Sequence, residues 1–160
     1  MLFAVFLDVD GVLNTKTTCQ HTPDGYTGID DARVEILANA LKMYDCYEVI
    51  LTSDWKEMGE YDDDYLYLLE KLDLYGLDIS GKTKDQGNNR GEGIINYLKA
   101  HPEIDDYVIL DDHKFDFMNY TRLWERLLVT DGIERAEFAS RTPEVEAMVF
   151  MDYIKRFSRK

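Results

Sequence analysis

The sequence opens on Leu2-Phe3-Ala4-Val5-Phe6-Leu7, six apolar residues without a break, followed at once by Asp8-Val9-Asp10-Gly11. A strand with one face in water alternates apolar and polar side chains, whereas an unbroken run suits a strand covered on both faces, as in parallel sheets. Glu48-Val49-Ile50-Leu51 and Tyr107-Val108-Ile109-Leu110 have the same form, and Leu127-Leu128-Val129 is a weaker fourth. Between them lie helical patterns. Ile29 to Tyr44 puts Val34, Leu37, Ala38 and Leu41 on one face, and Tyr65 to Leu74 puts Leu66, Leu69 and Leu72 together. Gly91 to Ala100 carries Ile94, Ile95 and Leu98 and stops near His101-Pro102, as proline enforces. A last helix is expected from Thr142-Pro143 to about Phe157. This alternation predicts an α/β fold of three layers, a Rossmann-like parallel sheet with right-handed crossovers, in one domain. Asn14 to Gly28 and Gly81 to Gly91 read as loops.

Each strong apolar run ends in polar residues: Asp8-Val9-Asp10-Gly11, Thr52-Ser53-Asp54 and Asp111-Asp112. In an open parallel sheet the carboxyl ends of the strands share one edge, where ligands bind. Three sequence-distant clusters therefore converge. One acidic strand end can simply begin a turn, but carboxylates crowded at one edge repel unless a cation or raised pKa values relieve them. Oxygen donors without a His or Cys in register favour Mg²⁺ over zinc, and Mg²⁺ commonly shares a phosphate oxygen. Phosphate becomes the implied substrate group.

In that setting Asp8 is the candidate nucleophile, attacking phosphorus to give an aspartyl-phosphate that water then hydrolyses. Asp10, two residues on and on the same side if the chain stays extended, is the candidate proton donor and acceptor. Thr52 or Ser53 offers a hydroxyl to the phosphoryl oxygens, the choice between them being open. Arg90, at the start of a helix, offers a planar fork to brace the transferring group, and Lys82 and Lys84 compete for that role.

Charge and cysteines limit the alternatives. A formal net charge of -14 opposes broad electrostatic grip on nucleic acid or anionic membrane. Tyr61-Asp62-Asp63-Asp64 reads as a solvated helix start where carboxylates suit the dipole. Cys19 and Cys46 make neither a zinc spacing nor a disulfide framework, which suits a reducing cytoplasm. The opening apolar run lacks a basic flank and is too short to span a bilayer. Trp55 and the tyrosines Tyr61, Tyr65, Tyr67 and Tyr75 are expected to pack in or beside the core, and His21, His101 and His113 to lie at the surface or cap.

Asp8-Val9-Asp10-Gly11-Val12-Leu13-Asn14, the hydroxyl strand end and Asp111-Asp112 resemble, in kind and order, the motifs of the haloacid dehalogenase superfamily. Val49-Ile50-Leu51-Thr52-Ser53-Asp54-Trp55-Lys56, Arg90-Gly91-Glu92-Gly93-Ile94-Ile95 and Tyr107 to Asp112 resemble its small HAD-domain family of Swiss-army-knife RNA repair proteins. The resemblance runs from about Leu2 to Asp131. It implies a central first strand, Asp8 as nucleophile, Asp10 as acid and base, Thr52 or Ser53 on phosphate and Arg90 as the cation. Mg²⁺ would be held by Asp8, Asp111, Asp112 and the Asp10 carbonyl. The segments between motifs leave no room for a large cap, so an open site is expected. In the superfamily such sites act on large phosphates or use a partner protein as lid, which points to a nucleic-acid end; the net charge points the other way. Asp54 beside the hydroxyls and His113 after Asp112, where Asp116 is a possible substitute acid, depart from the pattern.

Three rivals stand beside the hydrolase. A calcium loop fails, because Gly11 comes fourth after Asp8 and follows a strand rather than a helix. A receiver-like phosphoacceptor module would place its reactive Asp on a later strand. A catalytically silent binding protein on the same fold differs only in activity.

Overall fold

The computed structural model describes residues 1–85, 89–113 and 117–129. Five strands form one sheet: β1 (Leu2–Leu7), β2 (Cys46–Leu51), β3 (Gly81–Lys82), β4 (Asp106–Asp111) and β5 (Leu127–Val129), in the order β3-β2-β1-β4-β5. Every pairing is parallel. The helices are α1 (Asp31–Leu41), α2 (Asp63–Asp73), α3 (Arg90–Ala100) and the short α4 (Thr121–Trp124).

The unbroken apolar runs are strands covered on both faces. Phe3, Val5 and Leu7 of β1 pack in one cluster with Val34, Leu37 and Leu41 of α1 and Leu68 and Leu72 of α2. Ala4 and Phe6 face the other way, toward Ile94 of α3, Phe117, and Leu123 of α4. Alternation along one strand thus supplies two cores, and each buried Phe or Leu contributes about 1.5–3 kcal/mol by leaving water. The three-layer α/β expectation holds, with β1 at the centre and no large cap among the described residues.

Four details differ from the sequence reading. The stretch read as a loop from Gly81 begins with β3, two residues that extend the sheet beside Ile50 and Leu51. In α2 the buried face is Tyr65, Leu68 and Leu72, while Leu66 is 44% exposed. A leucine-rich helix offers more than one apolar stripe, and here Tyr65 and Leu68 turn to the sheet. Nor is the acidic helix start wholly solvated. Asp62 caps α2 by accepting from the Asp64 backbone N–H at 2.9 Å, but Asp64 itself is buried and accepts from the Asp24 N–H at 3.0 Å. Tyr61, expected to pack, is exposed. The helix expected from Thr142 lies outside the described residues, as does Asp116.

Candidate functional site

The strand order reverses its direction of growth between β1 and β4, so the crevice at their carboxyl ends is the switch point where α/β sheets bind ligands. Asp8 and Asp111 stand there. Leu7 pairs with both Leu51 and Leu110, and the Asp8 and Thr52 backbone N–H groups donate to Leu110 and Leu7 at 2.9 Å each. This register carries Asp8, Thr52 and Asp111 to one edge, as their strand-end positions predicted. Both carboxylates are buried. Arg90, the first residue of α3, reaches between them: its Nη1 lies 2.8 Å from Asp111 Oδ2 and 3.3 Å from Asp8 Oδ2. Its Nη2 is 3.6 Å from the exposed Asp54 carboxylate.

One guanidinium does not balance this much acid. Burial, then the charge of Asp111, pushes Asp8 up to about 8 despite Arg90. Burial also raises Asp111, to about 6, with Arg90 opposing. Asp111, Asp112 and His113 offer ligand atoms within 4.8 Å of one another, so an imidazole stands beside the acids where the sequence reading expected oxygen donors alone. The carboxylates of Asp8, Asp111 and Asp112 by themselves suit a hard divalent ion such as Mg²⁺.

Proton binding by the Asp8 and Asp111 carboxyls is linked to folding. Both folded-state values exceed the unfolded carboxyl value of about 3.9, so the folded protein holds extra protons between about pH 4 and pH 8. That contribution to stability is complete below the unfolded value and is lost as pH rises through about 6 and about 8. With chelator, Tm is expected to fall between about pH 4 and about pH 8; with Mg²⁺ in place of the protons the fall should shrink. Identical slopes with and without Mg²⁺ would show that the cluster does not take the ion.

Asp10 is exposed and held by two donors. Trp55 Nε1 donates to one of its oxygens at 3.1 Å and Asn14 Nδ2 to the other at 2.9 Å. Asn14 also donates to the Gly28 carbonyl at 2.9 Å, tying the loop to the site. Trp55 packs in the core as expected, but its indole N–H has a further job that sequence reasoning missed. Its place just after the hydroxyl pair was the available signal. Gly11 follows at φ +79°, and a Cβ there would stand 2.5 Å from the Asp112 side chain. The turn that brings Asp10 and Asp112 together therefore requires glycine.

The two hydroxyls are distinguished by their partners. Ser53 Oγ caps the short turn at Asp54–Glu57, accepting from the Trp55 N–H at 3.2 Å. The Thr52 hydroxyl is buried without a hydrogen-bond partner, which leaves it the group in need of one. Lys56, also missed, is buried with its ammonium 2.9 Å from the Thr52 carbonyl and 2.6 Å from Asp85 Oδ2. It fixes the strand end from behind. Lys82 lies over the Tyr65 ring, 4.2 Å from its centroid, and Lys84 is exposed, so Arg90 is the cation found between Asp8 and Asp111. His113 Nδ1 meets Asp112 Oδ1 at 2.6 Å, and that hydrogen bond raises the imidazole.

The model of the HAD domain in Swiss Army Knife RNA repair proteins matches residues 4–138. No curated protein and no solved structure matches the chain. With most of the sequence covered, and with Asp8, Thr52, Arg90 and Asp111 gathered at the switch point of an all-parallel sheet, the chain belongs to the family of HAD domains found in Swiss Army Knife RNA repair proteins.

Proposed function

We propose that the protein is a Mg²⁺-dependent phosphohydrolase that cleaves a phosphomonoester through an aspartyl-phosphate on Asp8. The observation that carries this reading is the pair Asp8 and Asp111, buried side by side at the switch point and bridged by Arg90. Mg²⁺ held by Asp8, Asp111, Asp112 and the Asp10 carbonyl would supply the positive charge that lets a phosphate dianion approach these carboxylates.

An Asp8 carboxylate oxygen forms a bond to phosphorus as the bond to the leaving oxygen breaks. Asp10 gives its proton to that oxygen, then takes one from the water that attacks the phosphoryl-aspartate and frees phosphate and Asp8. Arg90 and the Thr52 hydroxyl bind the oxygens of the transferring group, with Ser53 beside them. Trp55 and Asn14 fix the direction from which Asp10 works.

An open site admits a small monoester or the end of a large one closed over by a partner protein. The RNA-repair setting of the family supports a nucleic-acid end, and the charge of -14 opposes it. Cys19 and Cys46 are exposed and not disulfide-bonded, in keeping with a cytoplasmic setting. No helix among the described residues is long and apolar enough to cross a membrane. Turnover of p-nitrophenyl phosphate should appear with Mg²⁺ and stop with chelator. If Mg²⁺ binds and no aryl phosphate is turned over, the protein is instead a silent binding member of the family.

A further inference from the structure

Beside Asp10 lies a cavity of about 590 Å³ between the 14–28 loop and the turn that carries Trp55 and Met58. Its walls include Asp10, Gly11 and Asp112, but neither Asp8 nor Arg90. A proton donor must lie within hydrogen-bond reach of the leaving oxygen. On the phosphatase reading, then, the rest of the leaving alcohol extends into this cavity, away from the phosphoryl group. Its volume falls in the range of small-molecule sites, about 300–1,000 Å³.

The walls are braced before any ligand arrives. His21 and Thr27 bridge the loop, and the Gly28 N–H donates to the Gln20 carbonyl at 2.8 Å. Lys71 of α2 holds the Gln20 side chain at 2.9 Å and Asp31 at 3.0 Å. The apolar part of the lining is Tyr26, Trp55 and Met58, with the Tyr26 side chain 71% exposed at the lip.

The charge of the lining is one-sided. Beyond Asp10 and Asp112 it carries Asp54 and Asp64 against one cation among the described residues, Lys16. Just outside, the exposed Asp24 is raised by Asp64 first, then by slight burial and by Asp62 and Asp63, so the outer wall lies in a negative potential. Arg90 offsets the acids on the phosphoryl side, where the transferred group needs it, and Mg²⁺ held there would add to it. On the leaving-group side compensation is only partial among the described residues: Lys16 lies in the lining and Arg90 Nη2 is 3.6 Å from Asp54, so the carboxylates remain in excess. A second phosphate placed there would face carboxylates in place of a guanidinium fork.

We infer that this cavity is a leaving-group subsite for one uncharged or cationic alcohol with a ring or compact apolar part, and that it discriminates against leaving groups bearing further phosphates. The preferred substrate is thus a small monophosphate, such as a nucleoside monophosphate, rather than a polynucleotide end. The distinction is independent of the bond cleaved, because nucleoside 5′-monophosphate, 3′,5′-bisphosphate and 5′-phosphorylated oligonucleotide share the same kind of leaving oxygen.

The test compares kcat/KM of the full chain with Mg²⁺ on p-nitrophenyl phosphate, a nucleoside 5′-monophosphate, the same nucleoside 3′,5′-bisphosphate and a 5′-phosphorylated tetranucleotide. The monophosphate should exceed the bisphosphate and the tetranucleotide by at least about 10-fold at low salt, and the gap should narrow in high salt. Asp24→Asn with Asp54→Asn should narrow it as well, and Tyr26→Ala should lower the monophosphate rate relative to a small acyclic phosphate. A bisphosphate or tetranucleotide hydrolysed as fast as the monophosphate, or a preference insensitive to salt, would overturn the subsite while leaving the hydrolase intact. No turnover of any of the four, p-nitrophenyl phosphate included, would remove both.

Discussion

Asp8→Asn is expected to lower Mg²⁺-dependent kcat by about ten-thousand-fold or more, the scale of removing a nucleophile from a concerted set of groups. The amide is nearly isosteric and cannot form the acyl phosphate. The same change should leave Tm in chelator unchanged or raised near neutral pH, because it removes a carboxyl that burial and Asp111 hold at about 8. The folded state favours that carboxyl protonated, whereas the unfolded chain ionises it freely, so at neutral pH its presence disfavours folding. Loss of activity with Tm retained separates a catalytic role from a packing one. Robust turnover by the variant would show that another group attacks phosphorus.

Arg90→Ala should have the second largest effect. Its side chain is 14% exposed and stands between two buried carboxylates. Removing one partner of a buried ion pair commonly costs about 3–5 kcal/mol, because the remaining charges are left uncompensated. Stability in chelator should therefore fall, with Mg²⁺ restoring part of it, as a cation of other origin occupies the same acidic edge. Activity should fall by about 10²–10³, the scale of losing one donor that meets developing charge. Lys82→Ala is the control. Its ammonium sits over the Tyr65 ring, an interaction of about 0.5–1 kcal/mol at exposed sites, and its loss should leave kcat/KM in place. The reverse pattern, in which Lys82 matters and Arg90 does not, would reassign the cation.

Much of this was legible because burial writes itself into sequence. Short runs with no polar residue, such as Phe3 to Leu7, suit strands covered twice, and their ends marked the edge where Asp8, Thr52 and Asp111 meet. β3 was not legible, since Gly81-Lys82 has no propensity of its own and is a strand because β2 offers it partners. The face of α2 was misread for a related reason. Leucines at several spacings leave the choice of stripe to tertiary packing.

At the site, the residues to which the proposed chemistry is assigned were visible from type and position, while those that hydrogen-bond to them were not. Trp55 reaches Asp10 across 45 positions and Lys56 reaches Asp85 across 29, while Asn14 lies four residues from Asp10 but in a loop whose path no periodicity marks. The choice of Thr52 over Ser53 likewise depends on which hydroxyl the fold has already engaged. Sequence fixes neither partner.

The most direct test is to quench the protein during turnover, reduce any acyl phosphate with borohydride and locate the resulting homoserine by peptide mass spectrometry. The modified residue should be Asp8, in a quantity that rises with Mg²⁺ and vanishes with chelator. Label at Asp111 or Asp112, or steady turnover with Asp8 never modified, would contradict the assignment of Asp8 as the nucleophile.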